Sequence, residues 1–377
     1  MSFFLLTFFL IYGGFHCYAF WKAHAALRFG PVAGSMLATF MLIMVLAPAA
    51  VRFLEWAGQE GAAKVLAFAG YMWMGALFFF VVAGVLVDCC RLLAAGLGAA
   101  SGTAGLFSSL AFFVPLGAAL IFSAYGFFEA MLIRAETVTL ASSKISATAG
   151  RLRIVQISDV HLGLMVRKER LARILATVRA LAPDILVCTG DLVDGQLDDI
   201  QDLAAMFAEI RPRYGKYAVT GNHEFYAGLD QALRFMRTAG FTVLRNEWQA
   251  VAPGLVLAGV DDRAVDHFES RQAGGEAELL ATLPAGLYTV LLKHRPKVEN
   301  ASLGRFDLQL SGHTHQGQMF PFSLLTRLFF PLHAGGYPLA GGSYLYVSRG
   351  SGTWGPPIRF LAPPEVTLIE LIPAAGQ

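Results

Sequence analysis

Two hydrophobicity patterns divide this chain of 377 residues. Up to Arg134 apolar residues run almost without interruption, and from about Val138 they come in short blocks separated by polar punctuation. A helix that crosses a bilayer needs roughly 20 apolar residues free of charge. Four stretches have that length: Phe3 to Phe20, Val32 to Val51, Val65 to Val87, and Leu106 to Phe128 in the charge-free segment that starts at Leu92. The expectation is an N-terminal transmembrane bundle of four α-helices over residues 1–134. Trp21, Trp56 and Tyr125 stand near span ends, where amphipathic rings favour the interface. A cleaved signal peptide is the competing reading of the first stretch. No basic segment precedes it, however, and Lys22 and Arg28 follow it instead.

The second pattern predicts short strands alternating with amphipathic helices. Arg153 to Ser158, Ile185 to Cys188, Tyr217 to Val219, Leu255 to Val260, Thr289 to Leu292, Leu308 to Leu310, Tyr344 to Val347 and Val366 to Leu371 are β-rich. Lys168 to Leu181 has apolar residues at helical spacing (Leu171, Ile174, Leu175, Val178), and Leu229 to Ala239 is a second helix. Alternation of this kind belongs to a layered α/β architecture.

Charge sharpens the division. Of 29 basic and 27 acidic residues, six and four lie up to Arg134, which leaves 23 of each beyond it. The first part is built for lipid and the second for water. No basic run stands out in the second part, so the electrostatic footprint of a nucleic-acid partner is missing. The cysteines Cys17, Cys89, Cys90 and Cys188 lack zinc-site spacing and do not suggest a disulfide framework. No span holds an ionisable pair at its centre, which argues against a transport path.

Polar residues in the second part sit where chemistry would need them. Asp159 and His161, Asp191, Asn222 with His223, His294, and His313 with His315 each follow a β-rich run. In layered α/β sheets, sites form beyond the carboxyl ends of the strands. Carboxylates, imidazoles and an amide oxygen suit hard or borderline divalent metals. Asp159 and His161 are two apart and would point the same way on an extended segment, as would His313 and His315. Asp191 is the natural bridge between two cations, which would clamp a phosphoryl oxygen and acidify a water to hydroxide. His223 would donate a proton to the leaving oxygen or stabilise the transition state. Taken one at a time these residues have plain structural readings, as turn, cap or core positions. Their joint order does not.

That order resembles the calcineurin-like metallophosphoesterase superfamily. The matching blocks are D-V-H at Asp159 to His161, G-D-L-V-D at Gly190 to Asp194, G-N-H-E at Gly221 to Glu224, K-H-R-P at Lys293 to Pro296 and G-H-T-H-Q-G-Q at Gly312 to Gln318. The stretch Ser348 to Arg359 is similar to the bacterial branch related to the transmembrane protein with metallophosphoesterase domain. The resemblance covers residues 137–373 and implies a metallophosphoesterase domain with a two-sheet β-sandwich flanked by helices. It implies one metal on Asp159, His161, Asp191 and His315, a second on Asp191, Asn222, His294 and His313, and His223 as the catalytic histidine. The metals would be Mn, Fe, Zn or similar. Gln316 stands where close relatives often have glycine, a matter of loop shape rather than ligation.

The implied activity is hydrolysis of a phosphomonoester, phosphodiester or pyrophosphate bond. The competing reading is an inactive membrane scaffold or signalling protein that keeps the domain as a binding module, although all seven ligand positions are filled. Asp261 and Asp262 match a family G-V-D-D run and read either as support for the site or as a turn. The run Met319 to Leu332 is either core packing or an apolar edge that meets the bilayer, which would suit a lipid-linked substrate. Arg52, Lys64, Arg134, Lys144 and Arg151 outnumber Lys22, Arg28 and Arg91 on the opposite side. That places the domain on the cytoplasmic face of a bacterial inner membrane by positive-inside counting.

Overall fold

The computed structural model describes residues 2–97, 104–145, 150–195, 201–268 and 275–374. The chain divides into a helical unit, Met1–Phe128 with Gly355–Phe360, and a hydrolase unit, Glu129–Trp354 with Leu361–Gln377.

The helical unit contains α1 (Ser2–Leu27), α2 (Pro31–Trp56), α3 (Glu60–Gly96) and most of α4 (Ala104–Met131). Pro31 opens α2, where its missing N–H costs nothing. Among the described residues, three helices are long and apolar enough to cross a membrane: Pro31–Trp56, Glu60–Gly96 and Ser109–Met131. This corrects the expectation of four. The stretch from Phe3 to Phe20 does form a helix, but the side chains of residues 1–4 lie outside those described. The remainder of α1, which runs to Leu27, is interrupted by His16, Lys22 and His24.

Small residues and polar ties hold this unit together. Gly70 lets Ala47 approach, and Gly84 makes room for the Tyr18 ring. The Tyr18 hydroxyl donates to Asp88 at 2.7 Å, and Asp88 also pairs with the buried Lys22. Trp73 donates to His16 Nε2 at 2.8 Å while His16 Nδ1 donates to the Tyr12 carbonyl at 2.8 Å, a tautomer both bonds agree on. The segment Gly355–Phe360 packs here too: Ile358 lies over Gly75 and Gly126, and the Phe360 ring meets Phe79 and Phe122 at 5.1 and 4.8 Å.

The hydrolase unit has strands β1 (Arg134–Ser142), β2 (Leu152–Ile157), β3 (Ile185–Cys188), β4 (Lys216–Ala218), β5 (Thr242–Val243), β6 (Glu247–Ala252), β7 (Leu255–Gly259), β8 (Tyr288–Leu292), β9 (Leu308–Ser311), β10 (Gly335–Pro338), β11 (Tyr344–Val347) and β12 (Glu365–Pro373). They form two six-stranded sheets, ordered β1-β12-β2-β3-β4-β5 and β10-β11-β9-β8-β7-β6. Neighbours β2 to β5 run parallel, as do β7, β8, β9 and β11. The expected two-sheet arrangement is therefore present. β1, β6 and β10 were not legible in the hydrophobic pattern, because all three lie at sheet edges with half-exposed or exposed residues.

Each inner strand buries both faces, so it reads as a continuous apolar run. Ile154, Ile185, Val187, Val219, Leu257, Val290, Leu292 and Leu310 fill the space between the sheets. Val155, Ile157, Leu186 and Cys188 face the other way, onto helices α5 (Lys168–Ala180), α6 (Gln201–Ala208) and, beyond the short α7 (Asn222–Tyr226), α8 (Leu229–Thr238). Leu171, Ile174, Leu175 and Val178 of α5 are wholly buried there, which is the face their spacing predicts. With the strands pinned on both sides, the loops at the carboxyl ends of β2, β3, β4, β8 and β9 are fixed in place.

Candidate metal centre

Those five loops bring the predicted residues together. Ligand atoms of Asp159, His161 and His315 lie within 4.8 Å of one another, as do those of Asp191, His294 and His313, and those of His161, Asp194 and His223. Asp191 joins the first two groups. Its Oδ2 lies 3.2 Å from His294 Nε2 and 3.9 Å from His161 Nε2. Asn222 follows Gly221 on the β4 loop and is buried, and His223 N donates to Asp191 Oδ1 at 2.9 Å.

The loops are built by backbone rather than by extended geometry. Asp159, His161, Asp191, His313 and His315 all have positive φ, between 49° and 73°. The expectation that Asp159 and His161, or His313 and His315, align on an extended segment is therefore wrong. Consecutive left-handed kinks turn them inward instead. Such residues cost about 1 kcal/mol or more each and persist where the surroundings over-determine them. Gln316 at φ 53° adopts the conformation that glycine favours, so the loop keeps its shape at a backbone cost. Gly221 and Gly312 are required for space, because a Cβ there would run into the carboxyl groups of Asp191 and Asp159.

Hydrogen bonds hold the ligand side chains in place. Asp159 accepts from Ser158 Oγ at 2.5 Å and from His313 N at 3.0 Å. His294 Nδ1 donates to the Thr189 carbonyl at 2.8 Å, which turns Nε2 toward Asp191 and His313; burial would lower the pKa of this ring, but Asp191 raises it to about 10. The wholly buried Glu224 is the residue sequence reasoning passed over. Its carboxylate accepts from the N–H groups of Asp191 (2.9 Å), Leu192 (2.8 Å), Val193 (3.2 Å) and Gly221 (2.6 Å). It clamps the β3 loop to the β4 loop, and its only sequence signal was the last letter of G-N-H-E. Asp261 and Asp262 are both buried. Asp261 accepts from Thr220 and Arg245, and Asp262 from Arg295, so they brace the neighbours of Asn222 and His294.

The donor set fits a cation. His161 Nε2 faces His315 Nε2 at 3.1 Å, and His313 Nδ1 faces His294 Nε2 at 3.1 Å. Asn222 Oδ1 is a buried acceptor with no donor among the described residues. Burial, helped by the charge of nearby histidines, pushes His161 down to about 4 and His313 down to about 3. Both rings are thus neutral at physiological pH, the state a metal-binding imidazole needs. Asp191 is held well below the usual carboxylate range: burial opposes ionisation, but His294 and His223 outweigh it.

His223 stands at the rim. Its Nδ1 donates to Asp194 Oδ1 at 2.6 Å, and its ring lies 4.7 Å from that of His161. Burial would lower its pKa, but Asp191 and the hydrogen-bonded Asp194 raise it to about 9. The ring therefore carries a proton it can give. Tyr226 and Trp354 flank it with ring centroids at 5.3 and 5.8 Å.

Comparison with known proteins agrees with this geometry. The calcineurin-like phosphoesterase family profile matches residues 152–317. An uncharacterized metallophosphoesterase of Aquifex aeolicus is 41% identical over 255 residues, 67% of this chain and 97% of that protein. One from Campylobacter jejuni is 32% identical over 301 residues, 78% of each chain. The transmembrane protein with metallophosphoesterase domain of Danio rerio is 32% identical over 62% of this chain, which spans 56% of that protein's length. With the ordered motifs meeting at one sheet edge and relatives this similar, the chain belongs to the calcineurin-like metallophosphoesterases and is a hydrolase of phosphoester bonds.

Proposed function

We propose that this chain is a multi-pass membrane enzyme whose hydrolase domain, residues 137–373, holds two divalent cations. Asp159, His161, Asp191 and His315 would hold one, and Asp191, Asn222, His294 and His313 the other, with Asp191 shared. Mn, Fe and Zn all suit this mixture of carboxylate, imidazole and amide donors. The observation that carries the reading is the pair of imidazole–imidazole approaches at 3.1 Å beside an Asn222 oxygen that no donor among the described residues serves. Lone pairs that converge this way, without protons between all of them, call for a cation.

Bound there, two cations would polarise a phosphoryl oxygen and supply hydroxide as the nucleophile. The protein's own part is positional. Glu224 fixes the two loops that carry Asp191 and Asn222. Asp194 orients the His223 ring and keeps it protonated, so that Nε2 can protonate the departing oxygen of a monoester, diester or pyrophosphate. The positive-inside balance supports a domain on the cytoplasmic side of a bacterial inner membrane. The exposed apolar residues that follow His315 support a lipid-linked substrate.

Hydrolysis of p-nitrophenyl phosphate and of bis-p-nitrophenyl phosphate by the full chain tests the reading. Wild type loaded with Mn should turn over at least one of them, and Asp191→Ala should abolish that turnover. Equal rates in both proteins would refute the site.

A further inference from the structure

Helix α9 (Val265–Phe268), helix α10 (Glu276–Ala281) and helix α11 (Phe322–Phe329) complete the hydrolase unit, and α11 breaks the rule the others follow. None of its eight residues is buried. Leu328 is 77% exposed and Phe329 70%, and Phe320, Phe322, Leu324 and Leu325 are exposed beside them. Single exposed leucines are ordinary in soluble proteins, but six large apolar side chains in ten residues form a patch that marks an interaction surface.

The patch is rigidly joined to the site. Gly317, two residues after His315, packs so closely against the backbone of Ser323 that it has no room for a Cβ. The Phe330 ring, at the end of α11, lies 5.2 Å from the ring of His313. Gln318 exchanges two hydrogen bonds with the backbone of Trp354, at 2.8 and 2.9 Å, and so ties the same segment to the rim beside His223.

Three further observations bear on what could cover α11. Among the described residues, three helices are long and apolar enough to cross a membrane. Only Leu132 and Ile133 separate the end of α4 from the start of β1, a reach of about 10 Å at full extension, so a bilayer that α4 crosses would be within reach of the hydrolase unit. No carboxylate occurs in the sequence between Asp307 and Glu365, and the exposed Arg327 lies on α11 itself, so the helix carries no negative charge of its own to repel lipid phosphates.

We propose that the exposed face of α11 seats in the acyl–headgroup boundary of the bilayer and admits a membrane-resident phosphoester to the metal centre from the side. The second half of this statement rests on the phosphoesterase reading, and the first half does not. Arg327 on the same helix would pair with headgroup phosphates while Leu325, Leu328 and Phe329 enter the apolar layer.

Photocrosslinking decides the matter without relying on turnover. The full chain is reconstituted in phosphatidylcholine nanodiscs that contain phosphatidylcholine with a diazirine on its acyl chain, and crosslinked peptides are mapped by mass spectrometry. Crosslinks within residues 322–330 are expected, along with those in α2, α3 and α4. The triple variant Leu325→Ser, Leu328→Ser, Phe329→Ser should lose the 322–330 crosslinks about tenfold or more. It should keep those in α2 to α4 and hydrolyse p-nitrophenyl phosphate at the wild-type rate. Wild-type crosslinks confined to α1–α4 would overturn the proposal. Loss of soluble hydrolysis in wild type would instead count against the phosphoesterase reading and leave the lipid contact standing on the crosslinks.

Discussion

The two units of this chain place the same side chains on opposite sides of their surfaces. In the hydrolase unit Ile154, Leu175, Leu257 and Leu292 are wholly buried, and polar loops sit at the strand ends. In the helical unit Leu10, Val65, Leu86 and Phe128 are all more than half exposed, while Lys22, His16 and Asp88 turn inward to partners. One arrangement suits water and the other hydrocarbon, where outward leucine costs nothing and an unpaired polar group is expensive. In both units buried polar groups find partners across the fold: Lys22 pairs with Asp88 in the helical unit, and Glu224 accepts from four backbone N–H groups in the hydrolase unit.

The contrast can be attacked first at Glu224. Glu224→Ala would strand four buried backbone N–H groups, at about 1–3 kcal/mol each. The full chain in detergent should lose on the order of 4 kcal/mol in the unfolding of its hydrolase unit by calorimetry. A change under about 1 kcal/mol would mean the loops hold themselves. Next comes the matched pair Leu257→Ala and Leu86→Ala. The first opens a cavity between the sheets and should cost about 3 kcal/mol. The second trims an outward side chain and should change stability by less than about 0.5 kcal/mol. Equal costs would show that the two units do not differ in the way their surfaces suggest.

Legibility followed the same physics. The inner strands β2, β3, β8 and β9 were visible because burial on both faces leaves an unbroken apolar run. The edge strands β1, β6 and β10 were hidden because half their residues meet solvent. Helix α11 falls in a run that reads as core packing or an apolar edge, since F-S-L-L-T-R-L-F carries too few polar residues to mark a helical period. The identities of the site residues were visible as ordered motifs, but their geometry was not. Left-handed φ at Asp159, His161, Asp191, His313 and His315 has no signature in residue type, since aspartate and histidine merely tolerate it. The count of spans failed at α1, where His16 and Lys22 serve the inside of the unit and break the outward run.

Everything functional in this account depends on cations at the junction of the five loops. Metal analysis of the full chain, purified in detergent after loading with Mn, Fe or Zn in turn, tests that claim most directly. Two divalent ions per chain are expected for at least one of these metals, and fewer than one in Asp191→Ala. Wild-type protein that retains no stoichiometric metal under any of the three conditions would contradict the account.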